Sequence, residues 1–155
     1  MSSSLGNPER SISIDGFYYG ESSVLGKQVD ALLANGYYLK TVEGPRFCKA
    51  LNFDDERIRN IIETLLPGSS LGFTKPYGAT ARDLCVLNRT PEEAKVILAQ
   101  LWSCKSQMVF CWRSHRHVLD AIAAPIALLK ILPAELEKED IEGQNVSMES
   151  GGFQF

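Results

Sequence analysis

The sequence predicts a single, compact, mainly α-helical domain of about five helices, with flexible tails at both ends and room for a minor β-hairpin. Three observations support this fold class. The chain has 155 residues, of which 45% are hydrophobic and 23% charged, and these values are typical of one globular domain. Apolar residues recur at helical spacing in several segments. Helix-start signals precede three of those segments.

The two ends of the chain have the composition of tails. Residues 1–13 are rich in Ser, with Gly and Pro, and end in a short apolar stretch at Ile12–Ile14 that could be a strand. Residues 143–155 contain a Gly-Gly spacer among polar residues. The predicted organisation is therefore a flexible N-terminal tail over 1–13, a helical domain over 14–142 and a flexible C-terminal tail over 143–155.

Helix boundaries are clearest in the first half of the chain. Ser22 can cap a helix, and Asn35-Gly36 ends it because Gly readily takes the left-handed conformation. Acidic residues begin a later helix, where the positive end of the dipole favours carboxylates, and Pro67-Gly68 stops it. The predicted helices are Ser23–Ala34, Phe47–Leu51 and about Asp55–Leu66, with an extended segment at 37–42 and an exposed loop at 67–80.

The second half of the chain predicts further helices. Thr90, followed by Pro at the first helical position and Glu93, has the pattern of a capping box. An unbroken helix to residue 120 would place charged side chains in its apolar stripe, so we expect a break near Ser103–Gln107. The segment 107–112 is compatible with strand or helix. Helices are predicted at His115–Ala124, onward to Leu132 after an interruption at Pro125, and at Ala134–Glu142 after Pro133.

Charge and segment lengths restrict the partners. The formal net charge of −3 argues against wholesale binding to nucleic acid or anionic membrane, and it leaves room for a local basic patch. The longest apolar run, Ala121–Leu132, is too short to span a bilayer and is broken by Pro125 and Lys130. The first residues do not resemble a secretory signal. We therefore expect no membrane span, an intracellular location in cytoplasm or nucleus, and four reduced cysteines.

The most informative feature is charge segregation. Residues 95–119 contain basic residues, both histidines and both tryptophans but no Asp or Glu, whereas the segment after Pro133 is acidic. Arginine and lysine bind phosphate, and aromatic faces stack on unpaired bases. The residues predicted to contact nucleic acid or a protein partner are Lys105, Trp112, Arg113, Arg116 and His117. The alternative is that the acidic segment covers the basic one.

Two other features suggest contacts or chemistry. Phe153 and Phe155 follow the Gly-Gly spacer and are predicted to dock on a partner from the C-terminal tail. Cys111 and His115 are four residues apart, so a helix would place both on one face as two zinc ligands or as an activated thiol. The chain contains no Cys-x-x-Cys pair, nucleophile elbow or phosphate-binding loop. We therefore assign no catalytic residue, metal or cofactor from the sequence.

These observations favour a non-enzymatic protein that acts by protein–protein interaction or self-assembly, with itself or another protein as partner. Small viral structural and accessory proteins share this profile, which is an analogy at the level of class. The first alternative is an RNA-binding or polyanion-binding protein that uses the basic segment 105–117. The second alternative is a small enzyme or zinc protein centred on Cys111 and His115.

Overall fold

The computed structural model describes residues 6–36, 43–50, 54–70, 72, 84–86, 96–124 and 128–155. Of these residues, 41% are helical and 26% lie in eight strands that form three antiparallel sheets. The fold is therefore mixed α/β, and the prediction of a mainly helical, all-α domain is wrong. The predicted segment 37–42, the cap at Thr90 and most of the loop at 67–80 lie outside the described residues.

Local signals placed several helices correctly. Ser22 caps the helix Ser23–Ala34, as predicted, by accepting a hydrogen bond from the amide of Leu25. The next long helix is one residue shorter at each end than the predicted Asp55–Leu66, and Asp55 is its cap. The last helix begins at Pro133 and ends four residues earlier than predicted. The described α-helices are α1 (Pro8–Asp15), α2 (Ser23–Ala34), α3 (Glu43–Lys49), α4 (Glu56–Leu65) and α5 (Pro133–Lys138).

Helix α1 begins within the predicted N-terminal tail and includes its residues 8–13. Asn7 caps it by accepting a hydrogen bond from the amide of Arg10, and Pro8 occupies the first turn, where its missing N–H has no consequence. Gly16, with a φ of 89°, ends the helix. The strand predicted at Ile12–Ile14 is thus wrong, because these residues belong to a capped helix.

The strands form three separate sheets. One sheet has the order β1-β8-β3, a second has the order β2-β6-β5, and the third is the pair β4-β7. We call them the first, second and third sheets. Their strands are β1 (Tyr19–Glu21), β2 (Leu84–Val86), β3 (Gln100–Trp102), β4 (Ser106–Cys111), β5 (Ala121–Ala123), β6 (Leu129–Ile131), β7 (Gly143–Met148) and β8 (Gly152–Gln154).

Two of these sheets are parts of one kinked ribbon. Trp102 pairs with Gly152 and Ser106 pairs with Met148, so the register is the same on both sides of residues 103–105 and 149–151. The amide of Lys105 donates to the carbonyl of Glu149 across the kink. The ribbon therefore runs over residues 100–111 and 143–154, and the predicted break near Ser103–Gln107 is this kink between two strands.

The main core forms where helices cover the first sheet. Its buried residues are Leu25 from α2, Ile58 and Ile61 from α4, and Phe153 and Phe155 from the C-terminus. Helix α2 approaches the kink at Gly26, where a Cβ atom would collide with the carbonyl oxygen of Ser150. The predicted C-terminal tail, residues 143–155, is thus strand β7, strand β8 and part of the core.

The segment 96–132 is the largest disagreement with the predicted helices. Residues 96–99 have no regular structure, and β3 follows where the third helix was expected to continue. Strand β5 and strand β6 pair as a hairpin where helices were predicted on both sides of Pro125. Three-residue strands are too short to display a period of two, so their apolar residues fit a helical period equally well.

None of the helices in the described residues is long and apolar enough to cross a membrane.

Candidate functional site

The turn after β4 is anchored on the C-terminal end of α1. The amide of Arg113 donates to the carbonyl of Asp15 at 2.9 Å, and the guanidinium of Arg116 donates to the carbonyl of Ser13 at 3.3 Å. His115 Nε2 lies 3.2 Å from the same Ser13 oxygen. The last carbonyls of a helix lack partners within it and carry the negative end of the dipole, so basic groups are stabilised there. We call residues 112–116 the basic turn.

A glycine allows this close contact. Gly16 closes α1 with positive φ, and its amide donates to the carbonyl of Ile12 at 3.0 Å. A Cβ atom at this position would collide with Nδ1 of His115. The imidazole of His115 therefore packs directly against the backbone of Gly16, and this contact holds the basic turn against the C-terminal end of α1.

Stacked aromatic rings support the other side of the basic turn. Phe17 stacks on Phe110 with ring centroids 4.3 Å apart, and Trp112 meets Phe17 edge-on at 5.3 Å. The indole N–H of Trp112 donates to the side-chain oxygen of Gln144 on β7. Trp112 remains 43% exposed, beside a surface cavity of about 90 Å³. The indole is thus held in one orientation with part of its surface open to solvent.

Arg113 has an unusual backbone conformation for its residue type. Its φ of 59° and ψ of 12° lie in the left-handed region, which costs a residue with a Cβ roughly 1–2 kcal/mol. Among the described residues its side chain makes no hydrogen bond or ion pair, and the residue is exposed. The guanidinium of Arg113, the residue after Trp112, therefore has no partner among the described residues and is exposed to solvent.

The structure separates two of the five predicted contact residues from the others. Lys105 lies at the opposite end of β4, about 20 Å from Trp112 at roughly 3.3 Å per strand residue. His117 turns towards the C-terminal end of α5, where its Nδ1 lies 3.0 Å from a carboxylate oxygen of Glu139, the residue that follows the helix. Trp112, Arg113 and Arg116 remain together, and the contact role predicted for all five stays a prediction.

The acidic segment meets the basic one at few points. Beyond the His117–Glu139 pair, Glu135 accepts a hydrogen bond from the amide of Asp120 and pairs with Lys138 of its own helix. Within the described chain, the arginines of the basic turn contact α1 carbonyls rather than the carboxylates of α5. The basic turn is therefore left uncovered by the acidic helix.

Phe153 and Phe155 do not lie at a free end. Both rings are buried in the main core, and Tyr18 exchanges two backbone hydrogen bonds with Phe155, at 3.1 and 2.8 Å. The partner-docking role predicted for these residues stays a prediction, and it would require the C-terminus to leave the core.

The helical arrangement proposed for Cys111 and His115 is wrong, since one residue ends β4 and the other lies in a 3-10 turn at Ser114–Arg116. Burial raises the pKa of the Cys111 thiol, which is the opposite of nucleophile activation. The described residues contain no group of three or more His, Cys, Asp or Glu side chains placed to hold a metal ion.

Sequence reasoning missed the residues that support the basic turn. Phe17, Phe110 and Gln144 are distant from one another in the chain and meet only through the paired strands. Phe17 and Tyr19 both stack on Phe110. Two aromatic residues at a spacing of two are a signal for an extended segment with one buried face, and this signal could have identified Phe17 as a packed residue.

Comparison with protein-family models, with curated proteins and with solved structures finds no match for this chain.

Proposed function

We propose that this protein is a non-enzymatic interaction protein that associates with a second copy of itself through the second sheet. The observation that carries the proposal is a set of branched apolar side chains in water around strands β5 and β6. Val118 is 62% exposed, Ile122 is 51% exposed and Leu132 is 45% exposed. Single exposed apolar residues are ordinary, but several around one short hairpin are typical of a protein contact surface.

The backbone of β5 supports the same proposal. Strand β5 lies at the edge of its sheet, and among the described residues no strand pairs with its outer side. The amide of Ala124 donates to the carbonyl of Leu128, which marks that pair as hydrogen-bonded. Because hydrogen-bonded and non-hydrogen-bonded pairs alternate in an antiparallel ladder, Ala121 and Ala123 direct their N–H and C=O groups outward. Such an edge is a template for another strand.

A second copy fits this edge because an antiparallel pair of identical strands is self-complementary. With the two-fold axis at Ile122, Ala121 of each copy would pair with Ala123 of the other. The two Ile122 side chains would then meet directly, with Cβ atoms roughly 5 Å apart. Asp120 would lie opposite Ala124, so the register places no like charges together. The product would be a continuous six-stranded sheet.

Sedimentation equilibrium over a wide concentration range tests the proposal with Ile122→Lys and Val24→Lys. Val24 is also exposed, at 65% against 51% for Ile122, but lies on α2, so it controls for the added charge. We expect the wild type and Val24→Lys to increase in average mass with concentration and Ile122→Lys to stay monomeric. Since both sites are exposed, we expect neither change to alter stability by more than about 0.5 kcal/mol. A monomeric wild type up to the millimolar range would refute self-association.

A further inference from the structure

We infer that the basic turn is a binding site for single-stranded nucleic acid, in which one base stacks on Trp112 and the flanking phosphates contact Arg113 and Arg116. This site is independent of the β5 edge proposed for self-association. It narrows the basic segment suggested by the sequence to three residues that the structure brings together.

The indole is prepared for stacking before a ligand arrives. Its N–H is already satisfied by Gln144, and Phe17 supports it edge-on. The exposed part of the ring can therefore receive a base with little loss of side-chain freedom. Stacking on an aromatic side chain is favourable and tolerates any base, because every base has a π face.

The two guanidinium groups provide the charge. Arg116 uses one N–H to bind the Ser13 carbonyl, and an arginine side chain has five such donors, so its others remain available. Arg113 is exposed and uncommitted among the described residues. Two phosphate contacts on a single strand predict that log K falls with log salt concentration at a slope of about −1.4. The expected binding is accordingly weak, with a shallow salt dependence.

The left-handed backbone of Arg113 allows a substitution that removes the charge without disturbing the fold. Glycine is the residue that the left-handed conformation favours, so Arg113→Gly removes the cation while relieving backbone strain. Lys105 is the matched control, because it is also an exposed cation with a φ of 60° and lies at the far end of β4. The same substitution at the two positions thus compares one charge inside the site with one charge outside it.

Fluorescence anisotropy with labelled ten-nucleotide oligouridine tests the inference, with oligothymidine and polyphosphate of similar charge as comparisons. We expect oligouridine and oligothymidine to bind alike, since both supply bases and phosphates, and polyphosphate to bind more weakly because it cannot stack. Arg113→Gly should weaken oligonucleotide binding about tenfold and reduce the salt slope by about 0.7. Lys105→Gly should leave both quantities unchanged.

Two further variants make the outcome decisive. Trp112→Leu should reduce oligonucleotide binding to the level of polyphosphate, while Ile122→Lys should bind as the wild type even if it fails to self-associate. Circular dichroism and thermal unfolding confirm that each variant is folded, and we expect Arg113→Gly to unfold no earlier than the wild type. The inference is overturned if Arg113→Gly binds like Lys105→Gly, or if polyphosphate competes as well as the oligonucleotides.

Discussion

The kinked ribbon and the described part of the segment 112–132 both contain antiparallel strands, but they differ in the side chains that they expose. The ribbon brings Phe110, Met148 and Phe153 into buried clusters and lies against α2 closely enough to require glycine. Among the described residues of 112–132, Trp112, Ile122 and two arginines are exposed, and both arginines donate hydrogen bonds to α1 rather than to α5. Both regions contribute buried residues, because Leu119, Ala121 and Ile131 form a smaller core with Leu136. The second region differs in the aromatic, aliphatic and cationic side chains that it also leaves exposed, and the two proposed contact surfaces lie there.

Substitutions at the buried and the exposed positions of these regions should differ in how much they lower the free energy of unfolding. A large-to-small change in the ribbon removes buried contacts, whereas a change at an exposed strand residue removes contacts mostly with water. Substitutions at the buried residues of either region should therefore lower stability, whereas substitutions in the basic turn and at the β5 edge should change binding with little effect on stability.

The largest expected effect is at Phe153. This ring is buried in the main core, packs edge-on against Phe155 at 6.0 Å between centroids, and lies under the Arg57 guanidinium at 5.4 Å. Phe153→Ala should lower the free energy of unfolding by about 3–5 kcal/mol, because a cavity replaces the ring. Urea denaturation measures the loss. A loss below about 1 kcal/mol would mean that the C-terminus is not part of the core.

A smaller effect is expected at Gly26, where two physical terms oppose each other. Alanine within a helix is favoured over glycine by about 1 kcal/mol, whereas overpacking costs about 1–3 kcal/mol. The overpacking cost should exceed the gain, since the added Cβ would meet the backbone carbonyl of Ser150 and not a movable side chain. We expect Gly26→Ala to be destabilising in thermal unfolding and the control Gly72→Ala, whose added Cβ meets no other described residue, to be close to neutral. A stabilised Gly26→Ala would show that α2 does not lie against the kink.

The smallest effect concerns the cap of α4 and depends on pH. Hydrogen bonding to the Arg57 side chain holds the pKa of Asp55 below its ordinary value. Because the carboxyl has a lower pKa folded than unfolded, its contribution is complete above the unfolded pKa and is lost as pH falls through the folded pKa. Asp55→Ala should cost about 1 kcal/mol at pH 7 and progressively less in acid.

Asp55→Asn is the control for this prediction, because the amide oxygen can still cap the helix without carrying charge. Its stability difference from the wild type should be smaller at pH 7 and should also shrink in acid. A difference for Asp55→Ala that is constant from pH 7 to pH 2 would contradict the assigned ion pair with Arg57.

Local signals were sufficient for part of the fold. Ser22 caps the helix expected of it, the acidic residues at Asp54–Glu56 mark the start of α4, and Pro133 begins α5, because such signals act over a few neighbouring residues. Pairing Ser106 with Met148 depends instead on segments far apart in the chain, and no local pattern records it. Residues 143–155 are rich in Gly and polar residues for two structural reasons. The kink requires Gly151 at positive φ, and β7 exposes one face that carries polar side chains.

The candidate site was partly predictable for the same reason. Charge segregation placed Trp112, Arg113 and Arg116 among the candidate contact residues, and they stay together in the structure since they lie within five residues of the chain. It also included Lys105, because a list of neighbouring residues does not show that an extended strand carries that lysine to the other end. The support at Gln144 depends on strand pairing and has no spacing signal, whereas the alternation of Phe17 with Tyr19 is a local signal that our predictions did not use.

Amide hydrogen exchange at neutral pH tests most directly whether the C-terminal residues complete the core. The amides of Gly152–Gln154 bond to neighbouring strands on both sides. They should exchange only through global unfolding and be far better protected than the exposed residues of the basic turn. Exchange of the C-terminal amides within seconds, as expected of a flexible tail, would contradict the mixed α/β fold.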